Sequence, residues 1–192
     1  MRKMFVLSSP SGGGKTTIRN YLLKKCPLLY SISYTTRPPR QEEKDQRDYF
    51  FVSMESFKEK IEKKEFIEWT KVLNHYYGTS RKFLEEILKK GKDILLEIDI
   101  EGAKQVKKEY GKQVVTIFIS PPSFEELKKR LKDRKTENEE NISKRLSLAR
   151  KEMQEINNYD YLVVNKNLKK CLKDIKEIIK TEGVLRSNAN YQ

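Results

Sequence analysis

The sequence predicts an α/β protein, a parallel sheet flanked by helices on both faces, and three observations lead there. Ile94-Leu95-Leu96-Glu97-Ile98, Val114 to Ile119 and Tyr161-Leu162-Val163-Val164 are near-continuous apolar runs of strand length, as expected of strands covered on both sides. Helical stretches separate them, which is the alternation of a doubly wound sheet. A glycine-rich loop joins the first strand signal to the first helix signal, where a backbone cradle for phosphate would lie.

Taken in order, Lys3 to Ser8 reads as a short buried strand, and Lys15 to Lys25 as a helix with Ile18, Leu22 and Leu23 on one side. From Ser31 to Thr79 the pattern changes to short β-like pieces, Tyr49 to Val52 and Phe66 to Thr70, around one helix opened by Ser53. That segment reads as a small α+β insertion. Arg81 to Lys90 is helical and closed by Gly91; Gly102 to Glu109 is helical and closed by Gly111. Ser123 with Glu126 forms a capping box just after Pro121-Pro122, opening a heavily charged helical excursion to Glu155. Leu168 to Lys180 predicts the last helix.

The chain has 192 residues, enough to bury a core in one domain that carries a small insertion. Forty-one Lys+Arg against 28 Asp+Glu give a net charge of +13, so the partners expected are anionic. Apolar runs long enough for a membrane span or a signal peptide are missing, which places the protein in the cytoplasm. Cys26 and Cys171 lack metal-ligand spacing, and the single histidine, His75, excludes both a Cys/His zinc site and a Ser-His-Asp hydrolase. The basic residues are spread along nearly every helix without an aromatic-basic RNA motif, which argues against nucleic acid as the partner.

Ser9-Pro10-Ser11-Gly12-Gly13-Gly14-Lys15-Thr16-Thr17 follows the first strand and opens the first helix. Its glycines let backbone N–H groups approach phosphate, Lys15 would reach the β- and γ-phosphates, and the Thr16 hydroxyl would bind Mg²⁺. Ser9 stands where the Walker A pattern asks for glycine.

With further motifs the chain resembles the guanylate kinase family over essentially its whole length. Thr35-Thr36-Arg37-Pro38-Pro39-Arg40-Gln41-Glu42-Glu43 followed by Asp48-Tyr49-Phe50-Phe51 is similar to the family's GMP-binding signature; Glu65 to Trp69, Tyr76 to Thr79, Ile98-Asp99 with Gly102, and Lys129-Arg130-Leu131 with Arg134 complete the set. Gln46, Glu97 and Glu101 depart from the pattern. The resemblance implies a P-loop core (1–32, 81–122 and 151–192), a GMP-binding domain (33–80) and a lid (123–150). It implies transfer of a phosphoryl group from ATP to GMP, with dGMP as a further acceptor and Mg²⁺ as cofactor. The oligomeric state stays open.

The resemblance implies a role for each part, and the chemistry of the side chains agrees with it. Arg37 and Arg40, held in a loop by two prolines, offer guanidinium forks to the acceptor phosphate, with Glu43 in the same signature and the hydroxyls of Tyr49 and Tyr77 as neutral donors. Glu68, Ser33 and Thr79 would read guanine, whose N1–H and amino group meet a carboxylate and whose O6 meets a hydroxyl; Glu97 would contact the amino group. Asp99, ending its strand, would hold Mg²⁺ through water. Arg130, Arg134 and Arg145 would close over the transferred phosphoryl group together with Lys15, and Asn165 would touch the adenine of ATP. A non-enzymatic binding module on the same frame would have no need of Lys15, Thr16 and these arginines.

Overall fold

The computed structural model describes residues 2–10, 13–133 and 139–183. The elements are β1 (Met4–Ser8), α1 (Lys15–Lys25), β2 (Leu28–Tyr30), β3 (Tyr34–Thr35), β4 (Phe50–Phe51), α2 (Met54–Glu62), β5 (Phe66–Val72) and β6 (His75–Ser80). They continue as α3 (Arg81–Lys89), β7 (Asp93–Glu97), α4 (Ile100–Tyr110), β8 (Val114–Ser120), α5 (Phe124–Asp133), α6 (Glu139–Gln154), β9 (Tyr161–Val164) and α7 (Leu168–Glu182).

Five strands form a parallel sheet in the order β2-β7-β1-β8-β9. Side chains of β1 alternate between two cores, as a strand's period of two requires. Phe5 and Leu7 join Ile18 and Leu22 of α1 and Ile175 of α7 on one face; Met4 and Val6 join Leu84 of α3 and Ala103 and Val106 of α4 on the other. This double coverage explains why the central strands read as unbroken apolar runs.

The second sheet, in the order β4-β3-β6-β5, lies between β2 and α3 in the chain. β5 and β6 form an antiparallel hairpin whose register shifts between Phe66 and Glu68. At this bulge Phe66, Ile67 and Glu68 are all buried instead of alternating. Its filling is aromatic, with Phe57 of α2 against Phe66 and Tyr34 stacked on Phe50. α5 and α6 carry a separate small cluster of Leu127, Leu131, Ile142 and Ala149, so the pair has a core of its own.

Several elements differ from the sequence expectation, among them β3 and β6, which lie in the expected α+β segment but outside its two β-like pieces. β2 was not foreseen: it is a three-residue strand after Pro27, at the sheet edge, too short to show a period. α4 begins at Ile100 rather than Gly102, because the Asp99 side chain caps it by accepting the Gly102 amide hydrogen at 2.8 Å. The charged excursion is two helices, α5 and α6, and the second runs past residue 150 to Gln154. Among the described residues no helix is long and apolar enough to cross a membrane.

Candidate active site

β1 and β7 are parallel neighbours with Leu7 beside Glu97, so the loops leaving both strands open at one edge of the sheet. β8 flanks β1 on the other side, which makes this edge the crevice where open parallel sheets bind ligands. The phosphate loop leaves β1 here. Gly13 donates to the Pro10 carbonyl at 2.9 Å, and Gly14 takes φ 93, a left-handed conformation that caps α1 and that a side chain would strain. Lys15 Nζ donates to the Ser9 carbonyl at 2.7 Å and to Ser9 Oγ at 3.0 Å. Ser9, the departure from the glycine pattern, is thus a second anchor for the lysine. A Cβ on Gly13 would stand 2.5 Å from Ser9 Oγ, so with serine here the loop needs glycine there.

Ser9, Gly13, Gly14, Lys15 and Thr16 line the cleft. Pro10 supports the turn from behind, and Thr17 is exposed on the first turn of α1. Ser11, Gly12 and Arg134 lie outside the described residues.

The second sheet and its loops build another wall of the cleft. Arg37 donates two bonds of 2.8 Å to the two oxygens of Glu43, while the Arg40 amide donates to Glu43 Oε2 at 2.8 Å and its guanidinium lies 3.6 Å from Oε1. Glu43 therefore sits as an internal anion between the two arginines, which line the cleft with Tyr49 and Tyr77. The Arg37 guanidinium stacks 5.5 Å above the Tyr49 ring, and burial pushes the Tyr49 phenol upward, keeping it a neutral donor.

The β5 bulge turns Glu68 into the cleft, where it is 3% exposed and accepts the Thr79 hydroxyl at 2.5 Å. Burial pushes its carboxyl up to about 8; the Thr79 bond opposes the rise and Asp99 adds to it. Ser33, also buried, lines the same wall. Gly102 packs against the carboxylate so closely that a Cβ there would lie 2.5 Å from Glu68 Oε2.

At the β7 end, Glu97 and Asp99 face the cleft two residues apart. Asp99 is occupied on both oxygens, by the Gly102 amide and by the Thr70 hydroxyl at 2.5 Å, so it is fixed rather than free to swing. Arg145 enters the cleft from α6. Arg130 does not line it: the side chain is tied to Glu126 at 3.0 Å and to the Asn165 carbonyl at 3.2 Å. Asn165, expected against adenine, is buried and donates to the Gly13 carbonyl at 3.1 Å. It braces the phosphate loop because the β9 end lies directly beside that loop.

Glu101, the other departure, is exposed and pairs with Lys104. Two charged residues went unnoticed in the sequence. Glu152 lines the cleft, with an Oε2 that is buried and has no hydrogen-bond partner; burial pushes its carboxyl up to about 7, with Lys15 and Arg145 pulling down and Asp99 pushing up. Arg19 is buried behind the wall, against Glu97.

Thr16, Asp99 and Glu152 offer only hard oxygen donors at the loop, which suits Mg²⁺. Among the described residues no group of three or more His, Cys, Asp or Glu could hold a metal alone. That fits an ion held mainly by substrate phosphates and water.

What separates this cleft from that of a nucleotide hydrolase is the second sheet, which brings Ser33, Glu68 and Tyr77 into the cleft that the phosphate loop lines. The class so defined is a P-loop kinase acting on a nucleoside monophosphate. The family model described as guanylate kinase matches residues 1–182, and the chain belongs to the guanylate kinase family. It is 41% identical to the guanylate kinase of Thermotoga maritima over 94% of this chain and 87% of that protein. Against the guanylate kinase of Nitrosomonas europaea the identity is 46%, over 95% and 90%. The crystal structure of guanylate kinase from Anaplasma phagocytophilum superposes with a TM-score of 0.81 at 36% identity, covering 95% of this chain and 87% of that one.

Proposed function

We propose that the cleft carries out the family reaction, phosphorylation of GMP to GDP by ATP, with the labour divided among the residues just described and with dGMP accepted alongside GMP. The observation that carries the base assignment is Glu68: a buried carboxyl, hydrogen-bonded by Thr79 and lining the cleft, whose ionised form guanine can satisfy with two N–H donors and adenine cannot. An unpaired buried carboxylate is what allows such a site to reject the wrong base by orders of magnitude.

Lys15 and the loop amides hold the donor phosphates, and Arg37, Arg40, Tyr49 and Tyr77 hold the acceptor phosphate. Positioning and charge neutralisation are what phosphoryl transfer chiefly requires, so no general base is needed among these groups. Thr16 and, through water, Asp99 would hold Mg²⁺, with Glu152 beside them. The ion would neutralise charge on the donor phosphates when bound. Arg145 faces the same phosphates from α6. The separate core of α5 and α6 lets residues 123–150 move as a lid, and residues 33–80 form the acceptor domain, the two closing on residues 1–32, 81–122 and 151–192. Such an enzyme, living on ATP and GMP, belongs in the cytoplasm.

The test is a panel of GMP, dGMP, IMP and AMP with ATP and Mg²⁺, read by coupled release of ADP. GMP and dGMP should turn over well and AMP poorly; AMP used as well as GMP would overturn the assignment of Glu68.

A further inference from the structure

We propose that Arg19 is the positioning residue for the acceptor: it fixes the Glu97 carboxylate for guanine and ties the acceptor-domain loop at Asp48 to the helix that follows the phosphate loop. The inference rests on the reading above that Glu68 and Glu97 face the base.

Arg19 lies one helical turn after Lys15 on α1, and its side chain is 8% exposed. Its Nη1 donates to the Tyr30 phenol at 3.0 Å and stands 3.4 Å from Glu97 Oε2; its Nη2 is 3.8 Å from Asp48 Oδ1. The guanidinium also lies 4.7 Å over the Tyr30 ring. One buried cation thus joins α1, the end of β2, the loop before β4 and the end of β7.

Glu97 gives that junction a purpose. Its Oε2 is buried and has no hydrogen-bond partner, because Arg19 attracts it by charge without the angle of a hydrogen bond. Arg19 thus holds that oxygen from behind, while the residue lines the cleft, where a carboxylate calls for a donor from a ligand. The guanine amino group is a donor of that kind, offered on the same edge that Glu68 reads. Without Arg19, Glu97 would be a buried carboxylate with no cation beside it, and it would turn away from the cleft wall. That turn removes the acceptor. Asp48 precedes Tyr49, so the same loss loosens a donor to the acceptor phosphate. None of these groups belongs to the phosphate loop, so the effect should fall on GMP alone.

The experiment measures kcat, KM for GMP and KM for ATP, together with thermal melting, for Arg19→Met and Arg19→Lys, each in the wild-type and Glu97→Gln backgrounds. Removing one partner of a buried ion pair should raise the GMP KM about 10- to 100-fold in Arg19→Met and leave the ATP KM within about twofold. Arg19→Lys, which keeps the charge but not the planar fork, should recover part of the loss. In the Glu97→Gln background, Arg19→Met should add a clearly smaller factor, that of the Asp48 tie alone, because the part acting through Glu97 is already lost.

A folded Arg19→Met with GMP KM near wild type, an equal rise in both KM values, or the same factor in both backgrounds would overturn the proposal. Should Arg19→Met not fold, Arg19→Lys decides on the same GMP-only pattern. Glu68→Gln run in parallel keeps the two readings apart. If it leaves GMP unaffected, the base site itself is misassigned; if it damages GMP use while Arg19→Met does not, only the role of Arg19 falls.

Discussion

Glu68 should make guanine recognition a proton-coupled event. Its carboxyl is pushed up to about 8 by burial, with Asp99 contributing, so at pH 7 the free enzyme holds it largely protonated. Guanine offers two N–H donors, and accepting both requires the carboxylate. Ionising the group at pH 7 costs about 1.4 kcal/mol, one pKa unit, so GMP affinity should be about tenfold below its value at high pH, and about a hundredfold below at pH 6. Each GMP bound at pH 7 should release about 0.9 of a proton. Isothermal titration calorimetry in two buffers of different ionisation enthalpy reads that release directly. GMP's own phosphate also titrates near pH 6, and Glu68→Gln shares that contribution, so the difference between the two proteins isolates Glu68. A difference that is flat from pH 6 to 9, or proton release equal in both, would refute the reasoning. Stability follows with the same sign. The unfolded carboxyl loses its proton near 4.5 and the folded one near 8, so the native state binds more protons between them and the free enzyme weakens as pH rises through that window. Glu152, pushed up to about 7, steepens the same slope, and Glu68→Gln should flatten it.

Lys15→Ala should fold normally and lose most turnover, since a positioned cation at developing charge is worth about 3 kcal/mol or more; a folded variant with wild-type kcat would count against it. In Gly102→Ala the new methyl meets Glu68 Oε2, so the GMP KM should rise about tenfold while melting changes little, because alanine's helix preference of about 1 kcal/mol offsets the contact; an unchanged GMP KM would remove Gly102 from the specificity argument. Gln46 takes φ 61 on an exposed turn, and Gln46→Gly should relieve about 0.5–1 kcal/mol and raise Tm by about 2 °C with kinetics unchanged, whereas a lower Tm would show the glutamine is not strained.

The sheet was legible wherever strands are covered on both faces: Ile94 to Ile98 and Val114 to Ile119 have no polar side to interrupt the run. β2 was not, because three residues at an edge carry neither a run nor a period. The phosphate loop was legible because its chemistry is local in sequence. Asp99 was legible as a strand-end carboxylate, but its capping of α4 was overlooked although an acid three residues before Gly102 is a capping signal. The bond from Asn165 to the Gly13 carbonyl was not legible because it depends on β9 lying beside the loop, a tertiary fact. Arg19 and Glu152 stand in helices full of charge, and only packing reveals that they are inside. For Arg19 a signal existed: it falls between Ile18 and Leu22, on the face of α1 that turns to the sheet.

If Arg37 and Arg40 take the acceptor phosphate as proposed, the carboxylate of Glu43 between them turns phosphate capture into a contest with a tethered rival. A small free anion gains little by displacing a group that holds one guanidinium by both oxygens and never diffuses away. A nucleotide, anchored at the same time through its base, presents its phosphate at high effective concentration and can take the arginines over. Background anions are thereby filtered out, while the guanidiniums stay aimed and their mutual repulsion is cancelled. Affinity for the acceptor phosphate thus becomes conditional on recognition of the base.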